Sequence, residues 1–330
     1  LHKMPIAYVW DDHDYCGDNK RGNDGCSEAA KQAYMEYVPH YPLGDPDGPT
    51  GIYQAFTVGR VHFIMSDVRS QRSDEHIMSR EQMAWLKKEM LDAKEKNLVI
   101  GWITSVSYSG TKKDNWGGYT QDREEIGNFL KDNKIENLFI LSGDAHMSAI
   151  DNGTHADFST GQDNPFLYPI FQSAALNNVG SDKGGTFSEG GTFPNPPFTG
   201  QFGLVTVTDH GGEDICFNFR SFRLHYLFDS MSELLNFDFC RHLPPVGENL
   251  RNTDDWLLRK SDNRSFEIRS SEETDLDLKV FNMHGDVFFQ QYIRHIEGAY
   301  PFQLSNLPSG EYFIKAEMGK TLHMAKISLP

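Results

Sequence analysis

The sequence predicts an α/β protein that ends in a small all-β module, and three observations carry that expectation. Over roughly the first 150 residues, apolar strand-like runs alternate with helix-like runs, the pattern of a sheet covered by helices. A hairpin signal between Ile52 and Met65 adds an antiparallel pair, which makes the sheet mixed. Past about Asp254 the chain changes to short alternating strands separated by turn residues.

Taken in order, the apolar stretch Pro5–Val9 reads as a buried strand and runs directly into Trp10-Asp11-Asp12-His13-Asp14-Tyr15. Ser27–Tyr37 reads as a helix that stops at Pro39, ahead of a Gly- and Pro-rich loop reaching Gly51. Ile52–Val58 and Val61–Met65 flank Gly59-Arg60 as the arms of the hairpin. Ser79-Arg80-Glu81-Gln82 fits a capping box, and Met83, Leu86, Met90 and Ala93 follow at helical spacing. Leu98–Thr104 reads as a strand, Asp122–Asn133 as a second amphipathic helix, and Leu138–Leu141 as a strand delivering Ser142-Gly143-Asp144-Ala145-His146. Asn152–Gln201 is rich in Gly and Pro and is expected to be a long functional or disordered loop. Phe202–Val207 and Ile215–Phe219 resume the strand pattern, and Leu276–Phe281, Gly285–Phe289 and Gly310–Lys315 build the terminal β module. The expected domains are residues 1–250 and 251–330.

Composition narrows the function. With 47 acidic against 31 basic residues, the formal charge of -16 argues against general attraction to nucleic acid or to anionic membranes, and no nucleic-acid-binding module is read. No apolar run approaches the length of a membrane span. The chain opens on Leu1, just ahead of a core strand, so an upstream segment carrying any secretion signal is expected. Cys16, Cys26, Cys216 and Cys240 are an even set that permits two disulfides, with three pairings open. The competing reading is four free thiols in a reducing compartment.

The acidic run is the strongest chemical signal. Contiguous carboxylates repel one another unless positive charge is supplied, so Asp-Asp-His-Asp at a strand exit implies a cation rather than turn capping alone. Hard carboxylate oxygens beside an imidazole suit a divalent or trivalent metal, such as Ca, Fe, Zn or Mn. Two more strand ends carry similar groups: Asp67 with Arg69 and Arg72, then Asp144 with His146. Parallel strands bring such ends to one edge, and an Arg fork there suits phosphate oxygens, so metal-assisted phosphoryl transfer to water is the expected chemistry.

With these blocks in place, the sequence resembles the PhoD-like alkaline phosphatases of the metallophosphoesterase superfamily. The resemblance rests on Trp10–Tyr15, Asp67-Val68-Arg69 with Arg72, Gln82-Met83-Ala84-Trp85-Leu86, Asp114–Tyr119 with Arg123, and Ser142–His146. It implies a metallophosphoesterase-like α/β sandwich of two mixed sheets with outer helices, and metal-dependent phosphomonoesterase or phosphodiesterase activity on a phosphate-ester small molecule. By position it implies Asp12, Asp144 and His146 as metal ligands, and His13 and Arg69 as catalytic groups. Asp67, Arg72, Asn19 and Trp116 are implied near substrate. The family's earlier blocks, which hold further ligands, lie upstream of Leu1, so metal is expected to bind incompletely and the fragment to be inactive alone. Ser105 falls where many of the superfamily place a His ligand, and Cys16 interrupts the stretch after Tyr15.

A second resemblance covers the end of the chain. Val280–Gly285, Leu304–Tyr312 and Lys326-Ile327 are similar to the β-sandwich sorting domain of proteins exported by the type IX system of Bacteroidetes. It implies contact with secretion machinery and a secreted or cell-surface protein. A plain immunoglobulin-like accessory module is the alternative for this end. For the whole chain, the alternative is a non-catalytic cell-surface binding protein that keeps the phosphatase fold.

Overall fold

A computed structural model describes residues 6–22, 24–48, 51–161, 163–181, 185–194, 196–243, 256–260, 264–282, 286–319 and 321–329. The expected boundary between residues 250 and 251 lies outside the described residues, as do Pro5, Asn195 and Met283-His284-Gly285. Contacts separate two compact units, one covering the described residues 6–243 and one covering 256–329.

The first unit contains helices α1 (Asp12–Tyr15), α2 (Ser27–Tyr37), α3 (Arg80–Glu95) and α4 (Thr120–Asp132). Its strands are β1 (Gln54–Val58), β2 (Val61–Ser66), β3 (Val99–Thr104), β4 (Leu138–Ser142), β5 (Met147–Asp151), β6 (Ile170–Ser173), β7 (Glu189–Pro194), β8 (Thr199–Asp209), β9 (Asp214–His225) and β10 (Ser230–His242). They form a seven-stranded sheet in the order β1-β2-β3-β4-β6-β5-β7 and a three-stranded antiparallel sheet in the order β10-β9-β8. In the larger sheet β2, β3, β4 and β6 run parallel, and the outer pairs are antiparallel, so the sheet is mixed as expected.

Side-chain alternation along the central strands explains the layers. Ile64, Ile100, Trp102, Leu138 and Ile140 pack under Met83, Leu86 and Met90 of α3 and Ile126 and Leu130 of α4. Their neighbours Val61, Val99, Phe139 and Phe171 face the other way, against Phe217, Phe219 and Leu235 of the second sheet. Phe171 and Phe219 stack with centroids 4.4 Å apart, and Phe217 and Phe239 at 4.9 Å. Gly101 sits where a Cβ would come within 2.8 Å of Phe63 and 2.9 Å of Phe139, so this position has to stay bare for the two rings to close over it. Arg60, in the β1–β2 turn, grips Asp209 at the end of β8 through Nε at 2.9 Å and Nη2 at 2.6 Å.

Three elements depart from the expectation. The residues 6–10 form no strand, because side chains answer their backbone: Tyr8 O accepts from the Tyr34 hydroxyl at 2.8 Å and from Gln54 Nε2 at 3.2 Å. Within Asn152–Gln201 lie β6, β7 and the start of β8; β6 is only four residues, too short for a periodicity to show. The capping box before α3 is half built. Ser79 Oγ accepts from Gln82 N at 3.1 Å, while the Gln82 side chain turns to the backbone of Asp67.

The second unit is all antiparallel: β11 (Trp256–Lys260), β12 (Ser265–Phe281), β13 (Val287–Gln303), β14 (Gly310–Met318) and β15 (Thr321–Leu329). β12 pairs with β11 through its first half and with β14 through its second, and its register is irregular between Ser270 and Leu276. Phe266, Ile268, Leu276, Leu278, Val280, Ile314 and Leu329 form its core. Of the three pairings left open, the structure has Cys16–Cys26 and Cys216–Cys240, the latter joining directly paired residues of β9 and β10. No helix among the described residues is long and apolar enough to cross a membrane.

The ring layer between the sheets gives a direct test. Phe171→Ala removes a fully buried ring that touches both sheets, and is expected to lower the unfolding free energy in urea by about 3–5 kcal/mol. A change under about 1 kcal/mol would show that the layer carries little of the stability.

Candidate active site

Because β2, β3 and β4 are parallel and in register, they end side by side at Ser66, Thr104 and Ser142. The residues that follow each end, Asp67, Ser105 and Asp144, therefore meet at one edge of the sheet, and α1 sets Asp11–Asp14 against it.

Asp67 is the fixed point of this edge. It is fully buried, and its carboxylate accepts from Trp10 Nε1 at 2.9 Å, Ile52 N at 3.1 Å, Arg69 N at 3.1 Å, Ser70 N at 3.0 Å and the Ser70 hydroxyl. The Gln82 amide clamps its backbone from both sides, accepting from Asp67 N at 2.8 Å and donating to Asp67 O at 2.9 Å. A carboxylate so enclosed holds the chain after β2 in place and has no face toward a substrate, contrary to the expectation for this residue.

α1 is one turn long and exists because its ends are tied. Asp11 N donates to Asp14 Oδ1 at 2.8 Å, and the Tyr8 hydroxyl donates to Asp14 Oδ2. Buried Asp12 accepts from His13 N at 2.7 Å and Asn19 N at 2.8 Å, the latter from a left-handed residue with φ 54°. Burial pushes the Asp12 carboxyl up, but those two N–H groups and nearby Arg69 outweigh it and hold it below the usual range.

Arg69 is completely buried and its guanidinium is filled by carboxylates. Nε donates to Asp11 Oδ1, Nη1 and Nη2 donate to the two oxygens of Asp114 at 2.8 and 3.0 Å, and Nη2 stands 3.9 Å from Asp144 Oδ1. Arg72 Nη1 adds bonds to Asp114 Oδ1 at 2.9 Å and Asp114 O at 3.0 Å, and its Nε donates to Val68 O at 2.7 Å. Burial lowers Arg69's hold on its proton, yet Asp11 and Asp114 more than reverse this and drive it upward. Burial raises Asp11 to about 6, with Asp144 and Asp12 adding to the rise and Arg69 opposing it. Ser105 Oγ donates to the same Asp11 oxygen at 3.0 Å.

A cavity of about 260 Å³ opens above this layer, lined by Asp11, Asp12, His13, Asp18, Asp144, His146, Ala174, Ala175 and Asn178. The structure thus brings together four sequence-predicted residues, Asp12, His13, Asp144 and His146. It places the others elsewhere. Arg69 lies beneath, occupied by Asp11 and Asp114, and Arg72 meets Asp114 through Nη1 and otherwise lines a neighbouring cleft. Trp116 is fully buried in the aromatic core, its Nε1 donating to Thr104 Oγ1 at 3.0 Å. Asn19 serves Asp12 through its backbone, and its own place is a neighbouring cleft beside Lys20 and Arg21. Two residues were not singled out from the sequence: Asp114, although it stands in a quoted block, and Asp18, in the loop closed by Cys16–Cys26.

The donor set suits a hard cation. Ligand atoms of Asp12, His13 and Asp18 lie within 4.8 Å of one another, and Asp144 and His146 line the same cavity. Five carboxylates, Asp11, Asp12, Asp18, Asp114 and Asp144, surround two buried guanidinium groups, so the edge carries negative charge in excess.

Comparison with known proteins fits this arrangement. Residues 1–168 match the family model described as PhoD-like phosphatase, and residues 262–329 match the model of a secretion system C-terminal sorting domain. Alkaline phosphatase D of Bacillus subtilis (strain 168) is 29% identical over 193 residues, 47% of this chain and 33% of that protein. A solved structure titled "Structure of PhoD" superposes with TM-score 0.52 at 20% identity, over 72% of this chain and 53% of the other. The chain thus spans a third of the curated relative and about half of the solved one.

Removing the buried cation tests the carboxylate layer. Arg69→Met is expected to cost about 3–5 kcal/mol of stability at pH 8, because Asp11, Asp114 and Asp144 are left facing one another. Burial already raises Asp11 to about 6, above its unfolded value, and loss of Arg69, which opposes that rise, takes it higher. The stability of the variant is then fully present below about pH 4 and lost as pH rises past 6. Urea midpoints of parent and variant should therefore converge on acidification; a deficit independent of pH would refute this account.

Proposed function

We propose, for a chain that belongs to the PhoD-like phosphatase family, metal-assisted hydrolysis of phosphate esters in the cavity bounded by Asp12, His13, Asp144 and His146. The observation that carries this reading is the convergence of those four residues, from α1 and from the turn after β4, on one space of about 260 Å³.

Asp12, Asp18, Asp144 and His146 would hold the ion, their oxygens and imidazole matching a hard or borderline cation. A bound divalent or trivalent ion would supply Lewis-acid polarisation of the phosphate and a water of lowered pKa. The remaining work falls to the chain. His13, with a side chain 72% exposed, faces the cavity mouth, where its Nε2 is placed to give a proton to the departing ester oxygen. Asp18 Oδ1 stands 3.7 Å from that Nε2. Arg69 acts as a positioning residue: it fixes Asp11 and Asp114 and leaves the phosphate to the groups above it.

Export is part of the same proposal. The match of residues 262–329 to a sorting domain and the two disulfides both support a secreted or surface-held protein.

Hydrolysis of p-nitrophenyl phosphate and of its bis-ester by the full-length protein tests the chemistry. Chelation is expected to abolish activity and added metal to restore it, while His13→Ala should lower kcat by about 100-fold or more. Activity indifferent to both treatments would overturn the reading. For export, deleting residues 262–329 is expected to retain the protein inside the cells that make it; unchanged appearance in the medium or at the surface would count against the sorting role.

A further inference from the structure

One wall of the cavity is made by the segment that follows β6, in which Ala174, Ala175 and Asn178 line the site. This segment is fixed to the second sheet and to the metal-side residues. Gln201 N donates to Ala175 O at 2.9 Å, the Tyr226 hydroxyl donates to Leu176 O, and Val179 O is 2.8 Å from His146 Nδ1. The same segment turns large apolar side chains to solvent, with Leu176 59% and Val179 55% exposed. Beside it, the β9–β10 turn adds Tyr226 at 46%, Leu227 at 70% and Phe228 at 78%, and Tyr226 N donates to the carbonyl of Phe198, itself 70% exposed.

Exposed large apolar side chains are scattered over this surface, and these six stand out by sitting on stretches of backbone tied by hydrogen bonds to one another and to a cavity wall. Their occupant is indicated by continuity: the stretch Ala174–Val179 supplies both the cavity wall and part of the apolar rim. Polar groups that fix the reacting centre, next to apolar surface that holds the rest of the molecule, is the usual build of a small-molecule site.

We infer that the rim formed by Leu176, Val179, Phe198, Tyr226, Leu227 and Phe228 is a leaving-group subsite, and that the substrate is a phosphate ester of a bulky apolar alcohol. This inference rests on the phosphatase reading above and adds the substrate class. The anionic protein repels an anionic ester at a distance, and apolar contact supplies binding that charge does not.

The test compares n-octyl phosphate with glycerol 2-phosphate, both esters of aliphatic alcohols, in the full-length metal-loaded protein. The parent is expected to show a kcat/KM at least about tenfold higher for the octyl ester. In the double variant Leu227→Ser, Phe228→Ser that ratio should fall toward one, through a higher KM for the octyl ester. Leu176→Ser, on the other side of the rim, should act in the same direction, and an unchanged urea midpoint checks that each variant is folded. Equal efficiency toward both esters in the parent, or a ratio unmoved by the variants, overturns the apolar subsite and leaves the phosphatase reading standing. Hydrolysis of neither ester overturns the phosphatase reading and the subsite with it.

Discussion

The edge of the main sheet is organised by a single electrostatic constraint: carboxylates have been crowded where three parallel strands end, and they stay together only because Arg69 is buried among them. Its planar fork takes Asp11 on one side and both oxygens of Asp114 on the other, so two segments far apart in sequence are locked through one side chain. Arg72 reinforces Asp114 from below. Removing charge from water at this density is costly unless it is answered, and Asp11 and Asp12 are answered by arginine, a serine hydroxyl and backbone N–H groups. What remains in excess on the cavity side is negative charge from Asp12, Asp18 and Asp144, and that excess invites a cation.

The sequence made parts of this legible for physical reasons. Long amphipathic helices announce themselves by spacing, and α2 falls on Ser27–Tyr37 as read, while α4 begins two residues earlier than expected at Thr120. The parallel core strands were readable as apolar runs because both of their faces are buried. Short or half-exposed strands were not: β6 has four residues, and the outer face of β10 is polar and largely exposed. Of the site, the chemistry of Asp12, His13, Asp144 and His146 showed in composition and position, but depth did not. Arg69, Asp67 and Trp116 have the side chains of binding residues, and nothing local to each says that the fold closes over them. Burial of this kind is set by partners such as Trp10, Gln82 and Thr104, which belong to other elements.

The two units rest on different devices. The first holds its layers together with aromatic rings between sheets, and its polar edge is a separate network fixed by Asp67 and Gln82. The second is a compact antiparallel assembly whose core is its own. Its longest strands, β12 and β13, pair along nearly their whole length.

The Cys16–Cys26 bridge bears on when the site comes into being. It joins residues ten positions apart and closes a segment that contains Asp18 and Asn19, and Asn19 N is one of the two donors that hold Asp12. Crosslinking so short a loop removes most of the arrangements open to it before the fold forms. The geometry around Asp12 is therefore coupled to a covalent tether: with Cys16 and Cys26 paired, the segment that brings Asn19 N to Asp12 is anchored at both ends.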